Sequence, residues 1–281
     1  MMYKVLVVGL GSMGKRRIRC LKKLGINNIF GFDNRSDRNL ESEKLYNIKT
    51  FNNFEEACTT INPQILIISV SPAEHLKYMN LAIQNGIHFF VEASVLDDGL
   101  LDIIKELKSK NLVACPSSTL IFHPAIKMIK SIINSGELGK ISNILVHSGQ
   151  FLPDWHVYEN VSDFYVSNPL TGGAREIVPF ELTWFTDIFG YPRRVAGNCR
   201  KTIHITGAEY IDDTYNALLD YGNFLAVLTV DVVSRHATRR LLINGDVKQL
   251  IWSWDDNCIK IFDSHTNSWE NRIYQIEAAH D

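Results

Sequence analysis

A glycine-rich turn directly after an apolar run constrains the fold of this chain more than any other feature. The run Val5 to Val8 is rich in β-branched residues and does not alternate, which is typical of a parallel strand covered on both faces. It leads into the spacing G-x-G-x-x-G, where the glycines permit a tight turn, close approach of a pyrophosphate, and close packing of helix on strand. The same spacing also occurs in plain turns. The residues that would contact the phosphates are Gly9, Gly11, Ser12, Met13 and Gly14.

The residues after the turn favour a dinucleotide-binding βαβ unit. Lys15 to Leu24 has the pattern of an amphipathic helix, and Asn28 to Phe32 that of a second strand, which ends at Asp33. Asp33 lies 19 residues beyond Gly14, near the offset at which an acidic residue receives the adenosine ribose hydroxyls. Its alternative role is that of a turn former at a strand end. The guanidinium of Arg35 can stack on adenine or pair with a 2′-phosphate, so NAD is favoured as the cofactor and NADP also fits.

Strands and helices alternate through the first 118 residues, which predicts a doubly wound parallel sheet. In such a sheet the ligand lies at the carboxyl ends of the strands. The apolar strand Pro63 to Val70 and the strand His88 to Val91 end at this edge, and a helix begins at His75. The further cofactor-binding residues predicted here are Ser71, Pro72, His75 and Glu92.

The pattern changes after residue 118. A helix from His123 to Asn134 is followed by longer strands separated by turns such as Asn244-Gly245-Asp246, which is typical of an antiparallel sheet. One of these strands is predicted from Val195 to Ile205. The predicted fold class is therefore α/β, with a dinucleotide-binding Rossmann domain over residues 1–118. A substrate-binding and oligomerisation α+β domain with a large open sheet is predicted over residues 119–281.

Composition excludes several classes of protein. The chain has 281 residues, 46% hydrophobic and 21% charged, with a formal net charge of -2 and no long basic run, so neither nucleic acid nor membrane is an expected partner. The five cysteines are scattered without C-x-x-C spacing, which argues for reduced thiols rather than disulfides or a metal site. The longest apolar runs have the length of strands and the N-terminus lacks a signal-peptide profile, so a cytoplasmic location is expected.

The segment Gln150 to Glu159 is dense in aromatic, carboxylate and imidazole groups and has little helix or strand pattern. A sugar is a natural ligand for it, because an indole such as Trp155 can cover the apolar face of the ring while Asp154 and His156 bond its hydroxyls. The alternative is an aromatic loop packed on a sheet edge.

Together these features resemble the glucose-fructose oxidoreductase and inositol dehydrogenase family, in particular its members that act on sugars and nucleotide sugars. The resemblance spans nearly the whole chain. It is carried by the segments Val8 to Gly14, Ser71-Pro72 with His75, Phe122 to Ala125, Leu152 to Trp155, Gly172 to Ala174, and Ser234 to Arg239. It implies a Rossmann domain followed by a mixed-sheet domain whose exposed face makes subunit contacts, and hence a homodimer or homotetramer.

The chain departs from this family at the positions expected to carry the acid/base chemistry. Ala93 stands where relatives have a lysine, and Phe180 stands where relatives have a histidine. Glu176 aligns with the acidic residue one helical turn before that histidine, so it is a candidate base; its alternative role is an ion pair with Arg175 or another cation. The candidate catalytic residues are thus Glu176 and His156, and the candidate substrate-binding residues are His123, Asp154, Trp155, Arg175 and Phe180.

The expected function is an NAD(P)-dependent oxidoreductase of sugar or nucleotide-sugar metabolism, in a setting such as surface-polysaccharide synthesis, with non-standard acid/base residues. The alternative is a non-catalytic relative that binds dinucleotide or sugar as a sensor or assembly subunit, which Ala93 and Phe180 motivate. A lyase or epimerase with tightly held NAD ranks last, because it needs the same missing proton-transfer groups.

Overall fold

The computed structural model describes residues 3–93, 96–155, 157 and 159–275. The described residues divide into two compact units, 3–117 and 118–275. All five cysteines are free thiols. Within the described ranges no helix combines the length and the apolar character that crossing a membrane requires.

Unit 1 is a six-stranded, wholly parallel sheet with helices between its strands, as the alternation predicted. The strand order is β3-β2-β1-β4-β5-β6, with Val5–Val8 paired in register to Ile29–Phe32 on one side and Ile65–Ile68 on the other. Its elements in chain order are β1 (Val5–Val8), α1 (Ser12–Lys23), β2 (Ile29–Phe32), α2 (Ser36–Tyr46), β3 (Lys49–Phe51), α3 (Phe54–Ile61), β4 (Ile65–Ile68), α4 (His75–Gln84), β5 (His88–Val91), α5 (Leu100–Lys108) and β6 (Ala114–Pro116).

The burial of β1 explains its unbroken apolar run. All four of its side chains are fully buried, and successive ones point to opposite faces of the sheet. Leu6 and Val8 join the core on one face, whereas Val5 and Val7 join the core on the other. A polar residue at any of these positions would lie inside a core, so the strand cannot alternate.

Unit 2 contains an eight-stranded sheet with the order β14-β13-β12-β11-β7-β10-β9-β8. Its described strand pairs are antiparallel except that β7 and β10 run parallel. The predicted fold class is thus confirmed. The elements are α6 (Pro124–Asn134), β7 (Ile141–Gly149), α7 (Ala174–Phe189), β8 (Arg194–Arg200), β9 (Thr214–Asp220), β10 (Leu225–Asp231), β11 (Thr238–Gly245), β12 (Lys248–Ser253), β13 (Cys258–Asp263) and β14 (Ser268–Ile273).

The two faces of this sheet differ. Helices α6 and α7 supply Ile126, Ile129, Trp184 and Phe185 to a core that includes alternate residues of the central strands, such as Val146. The opposite face, called here the open face, carries an apolar row in which neighbouring residues are register partners. The row runs across five strands through Leu218, Val227, Leu145, Leu242 and Ile251.

The strand predicted from Val195 to Ile205 ends earlier, at Arg200. The reason is a side chain that satisfies the backbone beyond that point. The fully buried Asp213 accepts hydrogen bonds from the backbone N–H groups of Thr202 and Ile203, at 2.7 and 3.0 Å, and from the Thr202 hydroxyl. Because these donors are already bonded, the segment needs no strand partner.

Candidate functional site

The glycine-rich turn is shaped by steric contacts that only glycine tolerates. Gly9 adopts a φ of +90°, and a Cβ added to Gly14 would lie 1.8 Å from the Gly9 carbonyl oxygen. Gly11 is the N-cap of α1 and offers no side-chain cap, so the first N–H groups of the helix remain available to a ligand. Ser12 and Met13 open this helix and are exposed. The turn therefore fits a pyrophosphate.

Asp33 supports this turn through its side chain. Its Oδ2 accepts a hydrogen bond from the Leu10 N–H at 2.8 Å, its Oδ1 accepts one from the Arg35 N–H at 2.9 Å, and the residue is only 7% exposed. The carboxylate is thus held at the carboxyl end of β2 beside the glycines. Both predicted roles of Asp33, turn former and ribose acceptor, draw on the same carboxylate, whose oxygens can each accept a second bond.

The cation that faces Asp33 is Arg38, which the sequence analysis did not select. Its Nη1 lies 3.6 Å from Asp33 Oδ2, and a Cβ on Gly11 would lie 3.5 Å from the same nitrogen. Arg35, the cation predicted for this place, forms an exposed ion pair with Asp37 at 2.6 Å. One turn of helix α2 separates the two arginines, and only the helix geometry decides which of them turns towards the glycines.

A second charged cluster lies at the carboxyl edge of β4, β5 and β6. The guanidinium of Arg17 donates two hydrogen bonds to Glu92, at 2.6 and 2.7 Å, and stacks over the ring of Phe90. Ser69 and Ser117 add weaker bonds to Glu92 and Arg17, at 3.3 and 3.4 Å. Glu92, predicted to bind cofactor, is therefore neutralised by an arginine that the sequence analysis did not select.

The loop after β4 places Ser71 before a short 3-10 helix that begins at Pro72. His75 is 1% exposed, and its Nε2 lies 3.0 Å from the Val70 carbonyl oxygen, so Nε2 carries the proton and donates it. Its buried Nδ1 has no hydrogen-bond partner among the described residues. Burial lowers the pKa of His75, which keeps the ring neutral.

In unit 2, the first turn of α7 carries a carboxyl group in an unusual setting. Glu176 Oε1 accepts a hydrogen bond of 2.5 Å from the Tyr165 hydroxyl, while Oε2 is buried and has no partner within the described residues. Burial raises the pKa of Glu176 from 4.5 to about 7, and the hydrogen bond from Tyr165 opposes that rise. The alternative role of Glu176 was an ion pair with Arg175. The described residues show no such ion pair, and Arg175 is exposed. A carboxyl group that titrates near neutrality can both accept and return a proton.

Two other residues predicted to bind substrate, His123 and Phe180, contact neighbouring side chains and backbone within unit 2. His123 caps α6, with Nδ1 accepting from the Ala125 N–H at 3.2 Å, and its ring centroid lies 4.9 Å from that of Trp254. Burial, reinforced by the charge of Arg239, lowers the pKa of His123. Phe180 packs partly buried against the core of unit 2. Their roles in substrate binding remain predictions.

The aromatic loop is only partly described, because His156, a predicted catalytic residue, lies outside the described residues. Asp154 is exposed at the end of a short 3-10 helix. Trp155 packs against the core, and its buried Nε1 has no partner in the described part of the chain. An indole N–H without a partner is consistent with the predicted sugar contact, since a hydroxyl could accept it.

A buried ion pair formed by another carboxylate of α7 was missed by the sequence analysis. Glu181 is fully buried, and it accepts hydrogen bonds from Arg239 and from the Trp184 indole, at 2.8 and 2.7 Å. Among the described residues, Glu181 is held by a cation, whereas Glu176 on the same helix has no ion-pair partner. No sequence spacing indicates a partner 58 residues away.

The fold and the glycine-rich turn define a dinucleotide-binding Rossmann protein with a second, sheet-containing unit. Residues 3–96 match the family described as "Oxidoreductase family, NAD-binding Rossmann fold", and residues 126–250 match the GFO/IDH/MocA C-terminal domain. The chain therefore belongs to the GFO/IDH/MocA oxidoreductase family. Its first unit is an NAD-binding domain.

Similar proteins agree with this assignment. The chain is 23% identical over 195 residues to the uncharacterised oxidoreductase YhhX of Escherichia coli K12, covering 68% of this chain and 53% of that protein, so it spans about half the length of this relative. Two solved structures share the fold. One is a levoglucosan dehydrogenase in complex with NADH and levoglucosan; it is 13% identical, the match covers 96% of this chain and 80% of that chain, and the TM-score is 0.83. The other is the WlbA dehydrogenase of Bordetella pertussis in complex with NADH and UDP-GlcNAcA; it is 14% identical, the match covers 98% of this chain and 78% of that chain, and the TM-score is 0.79.

Proposed function

We propose that this chain is an NAD(P)-dependent oxidoreductase of sugars or nucleotide sugars that uses Glu176 as its acid/base group. The single observation that carries the proposal is the carboxyl of Glu176: its Oε2 is buried without a partner among the described residues, and burial raises its pKa to about 7. Ala93 and Phe180 remove the lysine and histidine that the resemblance implies, so a base of another kind is needed. The sugar and the nucleotide sugar bound to the two similar dehydrogenases support the substrate class.

The proposed chemistry divides between cofactor and chain. Bound NAD(P) supplies the acceptor for the hydride that leaves the sugar carbon. The carboxylate of Glu176 accepts the proton of the hydroxyl on that carbon, and its protonated form returns this proton in the reverse direction. A base with a pKa near the working pH suits both directions. His156 is the other candidate for this role.

Substrate recognition is proposed for the aromatic loop. Trp155 would cover the apolar face of a sugar ring, and its indole N–H would donate to a hydroxyl. Asp154 would accept hydroxyl hydrogen bonds at the exposed end of the loop. A place in surface-polysaccharide synthesis would follow if the substrate is a nucleotide sugar.

The test has two stages. The first measures binding of NADH and NADPH by calorimetry, and the second measures NAD⁺-dependent oxidation of levoglucosan, simple hexoses and UDP-GlcNAcA by the absorbance of NADH. We expect turnover with at least one of these sugars. If a sugar binds but is never oxidised, the non-catalytic alternative, a dinucleotide- or sugar-binding sensor or assembly subunit, replaces the proposed activity.

The open face of the eight-stranded sheet is proposed as the contact surface of a homodimer or homotetramer. Leu145 and Leu218 in its apolar row are 45% and 42% exposed, and an open groove of about 740 Å³ lies over the row. An apolar row of this extent is unfavourable in water and pairs well with a second copy of itself. A cytoplasmic location remains a prediction.

A further inference from the structure

The two adjacent glycines before α7 close a tight loop. A Cβ on Gly172 would lie 1.9 Å from the carbonyl oxygen of Val166, so no side chain fits there. Gly173 has a φ of +65° and donates its N–H to the same carbonyl at 3.0 Å. The Gly172 N–H donates to the Asn168 carbonyl at 2.8 Å. The diglycine therefore folds residues 164–173 back against the start of the helix.

This loop holds Tyr165 in place. The Tyr165 carbonyl accepts hydrogen bonds from the Asn168 N–H at 3.1 Å and from the hydroxyl of Thr171 at 3.3 Å, and Thr171 is only 2% exposed. The ring packs edge-on against Phe164, with centroids 5.8 Å apart. From this fixed backbone, the Tyr165 hydroxyl reaches the first turn of α7 and donates to Glu176 Oε1.

Two described charged residues near the start of α7, Arg175 and Asp212, interact with Tyr215. Asp212 lies 3.4 Å from the hydroxyl of Tyr215, and its carbonyl accepts the Ala174 N–H. Arg175 and Asp212 both influence the pKa of Tyr215, which burial raises to about 12. Among the described residues, burial and the Tyr165 hydroxyl are the influences on the pKa of Glu176. Within the described part of the chain, Tyr165 is thus the side chain whose hydrogen bond adjusts this carboxyl group.

We propose that Tyr165 is the positioning residue of the acid/base group: its hydroxyl holds Oε1 of Glu176 and so fixes the carboxyl group that exchanges a proton with a substrate hydroxyl. The inference rests on the proposed function of Glu176. In the oxidation direction the substrate O–H bond breaks and its proton bonds to the Glu176 carboxylate. The C–H bond of the carbon that bears this hydroxyl also breaks, a C=O bond forms there, and bound NAD(P)⁺ would accept the hydride. Tyr165 keeps its own proton throughout.

The first test needs no substrate. In protein labelled with carboxyl-¹³C glutamate, the Glu176 signal is assigned by its loss in Glu176→Gln and titrated with pH. Tyr165→Phe removes the hydroxyl but keeps the ring, so the midpoint should rise by about one unit or more, because a hydrogen bond to the charged form is lost. Tyr210→Phe, at an exposed tyrosine of the same unit, should leave the midpoint unchanged. An unchanged midpoint in Tyr165→Phe overturns the inference.

The second test is the pH profile of kcat/KM with NAD⁺ and the sugar oxidised in the substrate panel. For Tyr165→Phe the acid limb should move to higher pH by the same amount, so that activity lost near pH 7 returns in alkaline solution. A uniform loss at every pH would indicate a merely structural role and would contradict the inference. If Glu176→Gln keeps full turnover, the proposed acid/base group and this inference both fail. If only Tyr165→Phe is without effect, this inference alone fails.

Discussion

Replacing Glu176 by glutamine should make the protein more stable in neutral and alkaline solution while it removes activity. The pKa of this carboxyl rises from 4.5 to about 7 on folding, mainly because burial disfavours the charged form. At about 1.4 kcal/mol per pKa unit, the charged carboxylate costs the folded state about 3 kcal/mol. Glutamine keeps the shape of the side chain and an oxygen that can accept the Tyr165 hydroxyl.

The sign of the effect follows from proton linkage. The folded pKa lies above the unfolded value, so between about pH 4.5 and pH 7 the folded state binds more protons than the unfolded state. The free energy of unfolding of the native protein is therefore highest, as far as Glu176 is concerned, below pH 4.5, where the carboxyl is protonated in both states. This stabilisation is lost as the pH rises through 7, where the folded state must carry the buried charge. At pH 8 the glutamine variant should be more stable by up to about 3 kcal/mol, and near pH 4.5 the two proteins should be nearly equal.

Thermal unfolding followed by circular dichroism at both pH values measures this difference. For a unit of this size, about 3 kcal/mol corresponds to a rise in Tm of roughly 6–12 °C at pH 8. Turnover should fall by about 10²–10⁴-fold, and the affinity for NADH should not change. A Tm that is lowered equally at both pH values would refute the argument, because it would mean that the carboxyl is not a buried, unpaired charge.

Substitutions at three other places test the remaining features: the glycine-rich turn, Arg38 and the open face. Gly14→Ala should lower both the Tm and the affinity for NADH, because its Cβ would lie 1.8 Å from a backbone oxygen. Gly11→Ala should leave the Tm unchanged and weaken NADH binding in calorimetry, because its Cβ would make only an ordinary contact with Arg38 at 3.5 Å. Arg38→Ala should weaken NADPH more than NADH, and equal losses for both dinucleotides would contradict a contact between Arg38 and the 2′-phosphate. Leu242→Asp should shift the protein towards monomer in light scattering, and an unaltered mass would count against the open face.

Local sequence patterns determined much of the first unit. The turn Gly9 to Gly14, the buried run of β1 and the position of Asp33 at the end of β2 follow from residues within about thirty positions of one another. Each depends on backbone geometry or on periodic burial, which act over one or two elements. In the second unit the strand predicted to reach Ile205 ends at Arg200, and the strand β14 was missed because Ser268–Ile273 is largely exposed and polar.

What the sequence by itself determined is the class of fold, the cofactor turn and the absence of the expected lysine and histidine at Ala93 and Phe180. Only the tertiary structure decided which charges are paired. Arg17 reaches Glu92 across 75 residues, and Tyr165 reaches Glu176 because two glycines fold the loop between them. The physical reason is that the pKa of a carboxyl depends on burial and on the groups within hydrogen-bonding distance, and neither can be read from spacing along the chain.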